Sequence, residues 1–410
     1  MARRTSSRED TRSPSTLHGR IVIPLELAPL SADESAHEAR VLHAVRLALA
    51  AAGGWLSFAD YMELVLYAPG LGYYAAGAHK LGAGGDFVTA PELSEVFGRC
   101  VGAQCAQVLA ALGGGEILEI GAGSGALAEQ VLVALAARGA APARYLILET
   151  SPDLRQRQQQ RLAPLAARLG ACIEWLDRPP AGQLRGVVLA NEVLDALPVE
   201  RFRVAAGGIE SLGVEAAGGR LGWAARPAAA ALREAVAALE MTLPAGYVSE
   251  LNLRLGPWLA AVTAPLAAGV ALLIDYGLAR RDYYAPARDG GTLACFHRQR
   301  RHEDPFVNVG LQDLTAWVDY TRVAEAALEA GLEIAGYTTQ AHFLLATGFE
   351  TELAQMRAAL PAEREPLAAG AALRLVLPRE MGERFKCMAL ARGYDRPLAG
   401  FALRDFTATL

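Results

Sequence analysis

Glu116-Ile-Leu-Glu-Ile-Gly-Ala-Gly-Ser-Gly-Ala-Leu127 decides how the rest of this 410-residue chain is read. Apolar Ile117, Leu118 and Ile120 run into three glycines, Gly121, Gly123 and Gly125, spaced two apart. Ala126 to Arg138 then supplies strong helix formers, closed by Gly139 as a C-cap. The pattern predicts a strand, a tight glycine turn and a helix. Such a turn presents bare backbone N–H groups at a helix N-terminus, where a ligand can approach closely. Glu119 makes the loop acidic, which suits a cationic amine better than a phosphate.

Alternation of strands and helices continues from there. Strands are expected at 116–121, 144–149, 172–176, 186–191 and 270–275, and helices at 124–138, 152–168 and 256–266. Such alternation favours a parallel sheet covered on both faces. A helix at 321–330, a strand near 333–338, a helical region to about 375 and a strand at 385–391 bring the core to seven strands, the last two an antiparallel pair. Between them, Gly207-Gly208 and Gly218-Gly219 predict an antiparallel hairpin insertion followed by a helix near 228–240, and residues 279–318 read as irregular. Upstream, helices are expected at 31–54, at 58–66 and into Leu112, with Thr89 and Glu92 at capping-box spacing. The resulting division is a disordered tail at 1–30 and a helical region with an active-site loop at 31–112. A core follows at 113–200 and 250–392, with a substrate insertion at 201–249 and a tail at 393–410.

Bulk composition narrows the function classes. A net charge of −5 and a pI near 5.9 argue against a nucleic-acid partner. Only Lys80 and Lys386 are lysines, so 37 of the 39 basic residues are arginine, a compositional bias. Five scattered cysteines without a CxxC pair suggest neither zinc nor a disulfide framework, so no metal is expected and a reducing, cytoplasmic setting fits. The first twenty residues lack the apolar core of a signal peptide, and a disordered tail or misassigned start is expected. Leu255 to Ile274 carries no charge, but Gly256, Pro257, Pro265 and Gly269 interrupt it, so a helix, a turn and a buried strand are expected, with no membrane insertion. A homodimer stays open.

Gly121-Ala-Gly-Ser-Gly-Ala also satisfies a relaxed dinucleotide fingerprint, and Glu149, ending the second strand, would accept ribose hydroxyls in either kind of nucleoside site. Glu119 tips the loop towards S-adenosylmethionine, whose amine is cationic. Asn191 and Glu192, ending the fourth strand, fall at the floor of the crevice of a doubly wound sheet. Glu192 and Asp195 would grip a cationic acceptor, assisted by Asp86 or Asp275, although Asp275 could equally satisfy loop amides and Asn191-Glu192 could cap a helix. The donor would be held by Glu119, Gly121, Gly123, Gly125, Glu149 and Asn191. His79, His302 and His342 are candidate bases that lack a triad context.

Several blocks together carry a family resemblance: Gly72-Tyr-Tyr74, Gly85-Asp-Phe-Val-Thr-Ala-Pro-Glu92 with Phe97-Gly98, Glu119 to Gly125, Asn191 to Pro198, Ile274-Asp-Tyr-Gly277, Gly291-Thr-Leu293, and Gln312-Asp-Leu-Thr315 with Val318-Asp319. From about residue 35 to 392 the chain resembles the MidA-like S-adenosylmethionine-dependent methyltransferases, relatives of the mitochondrial complex I assembly-factor arginine methyltransferase. The resemblance implies a class I methyltransferase α/β fold: a Rossmann-like seven-stranded sheet with an N-terminal helical region and inserted antiparallel and helical segments. It also implies methyl transfer to arginine of a protein acceptor; in the mitochondrial relative the product is symmetric dimethylarginine on a complex I core subunit. Trp317 stands where many members have histidine, and Val193-Leu194 where an aromatic is common. A small-molecule methyltransferase and an assembly chaperone that binds the donor structurally are the alternatives.

Overall fold

The computed structural model describes residues 28–76 and 88–410, with the backbone of a short ladder between Thr16–Leu17 and Arg20–Ile21. Residues 1–27, most of the expected tail, and residues 77–87, which include His79 and Asp86, therefore lie almost wholly outside the description.

Seven strands form the central sheet: β1 (Glu116–Ile120), β2 (Tyr145–Leu148), β3 (Ile173–Leu176), β4 (Leu184–Asn191), β5 (Leu266–Leu278), β6 (Glu333–Thr339) and β7 (Phe385–Arg392). Their spatial order is β3-β2-β1-β4-β5-β7-β6. The first five are parallel and β7 runs antiparallel between β5 and β6. The short strand Val318–Asp319 adds a parallel pairing at the end of β5. Strand alternation divides the core in two: Ile117, Val187, Leu189, Val270 and Leu272 enter one buried cluster, and Leu118, Val188, Ala190, Ala271 and Leu273 the other. Burial on both faces explains why these strands read as continuous apolar runs.

Seven helices matter for the site: α1 (Ala32–Ala51), α2 (Phe58–Tyr67), α3 (Glu95–Leu112), α4 (Ala126–Ala137), α5 (Pro152–Leu169), α6 (Leu255–Thr263) and α7 (Tyr320–Glu329). A capping box forms at Ser31–Glu34 on α1, but not at Thr89–Glu92. Thr89 makes no side-chain cap, the helix breaks after Leu93, and Ser94 caps α3 instead. The carboxylate of Glu92 is taken up by Ser124 and Arg161, which leaves the box without its second half.

The insertion is a four-stranded antiparallel sheet of Val248–Leu251, Glu200–Ala205, Gly208–Ala217 and Arg220–Pro227, in that order, with a helix at Ala230–Ala237. Residues 279–318 are more ordered than expected: Arg300–His302, Ala294–His297 and Asp313–Thr315 build a three-stranded sheet. This sheet packs with α1 and α2 through Val41, Val45, Phe58, Tyr61, Cys295 and Leu314. The uncharged stretch at 255–274 splits into α6 and most of β5, and among the described residues no helix is long and apolar enough to cross a membrane. The segment after β7 packs against the core through Leu398 and Phe401.

Candidate functional site

Chain order leaves β1 for β2 and β3 on one side and returns to β4 on the other, so the topological switch lies between β1 and β4. Ligands of such sheets bind outside the carboxyl ends of the strands at this switch. A cleft of about 960 Å³ opens there, lined by the glycine loop after β1, Glu149 and Thr150 after β2, and Asn191 to Val193 after β4.

Gly121, Gly123 and Gly125 all have left-handed backbones, with φ of +63°, +55° and +82°. Side chains rarely adopt these values, so glycine is what lets the loop turn sharply. A Cβ on Gly121 would also stand 3.2 Å from Val193 Cγ2. Gly125 occupies the N-cap of α4, whose first N–H groups lack helical partners. Gln158 of α5, invisible as a site residue in the sequence, braces this wall. Its Nε2 donates to Gly123 O at 2.9 Å and to Glu149 Oε2 at 3.0 Å, and its Oε1 accepts from Trp175 Nε1 at 3.0 Å.

Glu119 is 2% exposed and lines the cleft. Burial pushes its carboxyl up to about 7, opposed by the Tyr145 hydroxyl that donates to it at 2.6 Å. A buried acid that is costly to ionise alone is well suited to an incoming cation. Glu149, also buried, accepts from Ser151 N at 2.9 Å, and its pKa is raised by desolvation.

At the floor the structure separates the expected acids. Glu192 lines the cleft, and its backbone is left-handed at φ +53°, unusual for a side-chain-bearing residue. Its Oε1 accepts from Ala90 N at 3.0 Å and Asn191 Nδ2 at 3.2 Å. Burial raises its carboxyl to about 8. Asn191 Oδ1 is buried at the same floor without a partner. Asp195 is not among the lining residues; it accepts the Tyr276 hydroxyl, and burial lifts it to about 6. Asp275, fully buried, accepts N–H bonds from Val193, Leu194 and Asp195 at 3.1, 2.9 and 3.1 Å, and from Tyr276 N at 2.8 Å. Burial and the Asp195 carboxylate push Asp275 up, against four amides that favour its ionised form. Of the acids expected to grip the acceptor, Glu192 lines the cleft, Asp195 and Asp275 are engaged behind it, and Asp86 lies outside the described residues. The reversal at Glu192 wraps residues 193–195 onto Asp275, leaving Glu192 alone to face the cleft. Asp275 satisfies loop amides, one of the two roles the sequence left open for it.

The remaining walls were not assigned from sequence. Tyr67, Tyr74, Glu92, Ser124 and Trp258 line the cleft. Arg161 ties Glu92 and Ser124 to Glu129, fixing the Ala90–Leu93 turn to the glycine loop. His302 is buried in the three-stranded sheet and His342 bonds to Thr339, so neither lines the cleft. Among the described residues no cation pairs with Glu192, Asp195 or Asp275, and no group of His, Cys, Asp and Glu is arranged to hold a metal.

These features fit a nucleoside with a cationic amine: a glycine cradle, a carboxyl at the end of β2, a buried acid beneath the loop, and the orphaned Asn191 Oδ1 at the floor. Known proteins give the same direction. Residues 100–338 match a family of S-adenosyl-L-methionine-dependent methyltransferases. The mitochondrial protein arginine methyltransferase NDUFAF7 homolog of Drosophila melanogaster is 31% identical over 388 residues, covering 85% of this chain and 86% of that protein. Mitochondrial human NDUFAF7, also named a protein arginine methyltransferase, is 28% identical over 377 residues, covering 82% and 80%. A crystal structure from Burkholderia thailandensis bound to S-adenosyl-homocysteine shares 41% identity and a TM-score of 0.89, over 94% of this chain and 100% of that one.

Proposed function

Because the chain belongs to the S-adenosyl-L-methionine-dependent methyltransferase family, with S-adenosylmethionine as its cofactor, we propose that it methylates an arginine guanidinium of a protein acceptor. When bound, the cofactor supplies an electrophilic methyl carbon on a sulfonium. In this reading Gly121, Gly123, Gly125 and Gln158 shape its seat, Glu149 accepts its ribose hydroxyls, Glu119 receives its ammonium, and Asn191 Oδ1 accepts from it at the floor. The observation that carries the acceptor assignment is Glu192, a raised carboxyl at the floor of the cleft that no cation pairs with among the described residues. A guanidinium carries its proton up to a pKa above about 12 and attacks only as that proton is shed. An arriving guanidinium would pull Glu192 back to its ionised form, release its proton to solvent, and leave a carboxylate positioned to hold the attacking nitrogen and take its proton. Asp275 and Asp195 serve as positioning residues that fix the 191–196 loop; Asp86, outside the described residues, keeps its proposed assisting role.

Names of the relatives support arginine over a small molecule, and the net charge of −5 supports a protein over a nucleic acid. Five free cysteines suit a reducing compartment such as a cytoplasm, whereas the animal relatives carry a mitochondrial designation. Mass spectrometry of protein arginine in parent and deletion strains tests the proposal. Methylarginine peptides should disappear on deletion and return with the intact gene but not with Glu192→Gln; return with Glu192→Gln would remove the role given to Glu192.

A further inference from the structure

Two sequence blocks, Gly72-Tyr-Tyr74 and Gln312-Asp313, are given no role in the donor seat above, yet the fold brings them together beside the floor loop. Gly72 makes this contact feasible: a Cβ there would stand 2.5 Å from Leu66 C and Tyr67 N, so only glycine lets the chain fold back along the end of α2. The return is fixed by Tyr73 N to Val65 O and Tyr74 N to Leu66 O, both 2.8 Å. Tyr74 thereby stacks on Tyr67, with ring centroids 5.5 Å apart and planes 25° from parallel, and both rings line the cleft.

Both hydroxyls are committed. Tyr67 donates to Ala196 O at 2.9 Å, on the floor loop itself, and Tyr74 donates to Asp313 Oδ1 at 2.8 Å. Asp313 is buried, and its charge and that of Asp195 bear on both phenols; the same two acids bear on Glu192. The stacked rings therefore stand at the acidic end of the cleft, with their orientation locked at both ends. A ring of this kind attracts a cation to its face, and a planar guanidinium can stack on it where a tetrahedral ammonium cannot. With centroids 5.5 Å apart the rings leave no gap between them, so a cation would lie against the outer side of the pair.

Resting on the arginine reading above, we infer that Tyr67 and Tyr74, held by Ala196 and Asp313, form the aromatic wall that orients the acceptor cation over Glu192 and selects guanidinium over ammonium. This gives the tyrosine turn a role in specificity and gives Asp313 a positioning role.

The test uses the full chain saturated with S-adenosylhomocysteine, titrated with ethylguanidinium and with n-butylammonium and followed by ligand-observed NMR. Wild-type protein should prefer ethylguanidinium by about tenfold. Tyr74→Leu should level that preference with S-adenosylhomocysteine affinity unchanged, whereas Tyr74→Phe, which keeps the ring, should retain most of it. Tyr67→Leu provides a second variant should Tyr74→Leu fail to fold, and should also level the preference. Retention of the full preference by the folded leucine variants overturns the aromatic wall while leaving the arginine reading standing. A wild-type protein with no preference for guanidinium overturns the arginine reading, and the wall with it.

Discussion

Glu119→Gln should move stability and donor affinity in opposite directions, a combination that a merely structural role would not produce. The Glu119 carboxyl is held at about 7 against a usual 4.5, first through burial and further by the Glu149 carboxylate, against the Tyr145 hydroxyl. A folded-state pKa above the unfolded one means that its contribution to stability is fully present below about pH 4.5 and is lost as pH rises through about 7. The difference corresponds to about 3 kcal/mol at pH 8. Glutamine never ionises and can still accept from Tyr145, so the ligand-free variant should melt higher by roughly 4 °C at pH 8, with the gain vanishing towards pH 4.5. In the same variant the donor's ammonium loses a charged partner, a loss of about 1.5–3 kcal/mol, or roughly 10- to 100-fold in affinity. Wild-type binding at pH 7 should also expel about half a proton, since a cation restores the ionised carboxylate. Scanning calorimetry across pH and titration calorimetry in two buffers of different ionisation enthalpy measure these quantities. Wild-type donor affinity in Glu119→Gln, or a melting temperature gain that does not depend on pH, would refute the reasoning.

Other substitutions probe the rest of the site. Gly123→Val places a β-branched residue at φ +55° in the loop and should abolish donor binding in calorimetry. Glu192→Gln should lower methyl transfer at least 100-fold while donor affinity stays within a few-fold, as read by single-turnover transfer beside calorimetry. Asp275→Asn replaces an oxygen that serves loop amides with an amide nitrogen; it should cost about 2–4 kcal/mol and speed hydrogen exchange at Val193 to Asp195. Gln158→Ala leaves Gly123 O and Glu149 Oε2 each without this donor and should weaken donor binding by about tenfold, so that by linkage the stabilisation at saturating donor also falls by about 1.4 kcal/mol, read by calorimetry.

Local pattern carried most of the fold. The strands and helices from 116 to 191 appear within two residues of their expected ends, because apolar runs and helix formers are properties of neighbouring residues. The positions of Gly121, Gly123, Glu149 and Asn191 along the cleft were legible for a related reason: a parallel sheet puts the residues after its strands at one edge. What pattern missed depends on distant partners. Tyr74 is engaged by an aspartate 239 residues later, and Glu92 left its capping box for a serine and an arginine in other elements. Strands of three residues, as at Arg300–His302 and Asp313–Thr315, are too short to show a period, which is why 279–318 read as irregular. That Asp195 lies off the cleft lining was not legible, because spacing alone does not reveal the left-handed backbone at Glu192.

The central claim is that this cleft delivers a methyl group to protein arginine through Glu192. The most direct measurement incubates the purified protein and its Glu192→Gln variant with radiolabelled S-adenosylmethionine and proteins from a deletion strain, followed by acid hydrolysis and separation of methylated amino acids. The account predicts label in methylarginine with wild-type protein and at least 100-fold less with Glu192→Gln. Label in methyllysine or a small molecule, or equal methylarginine from both proteins, would contradict it.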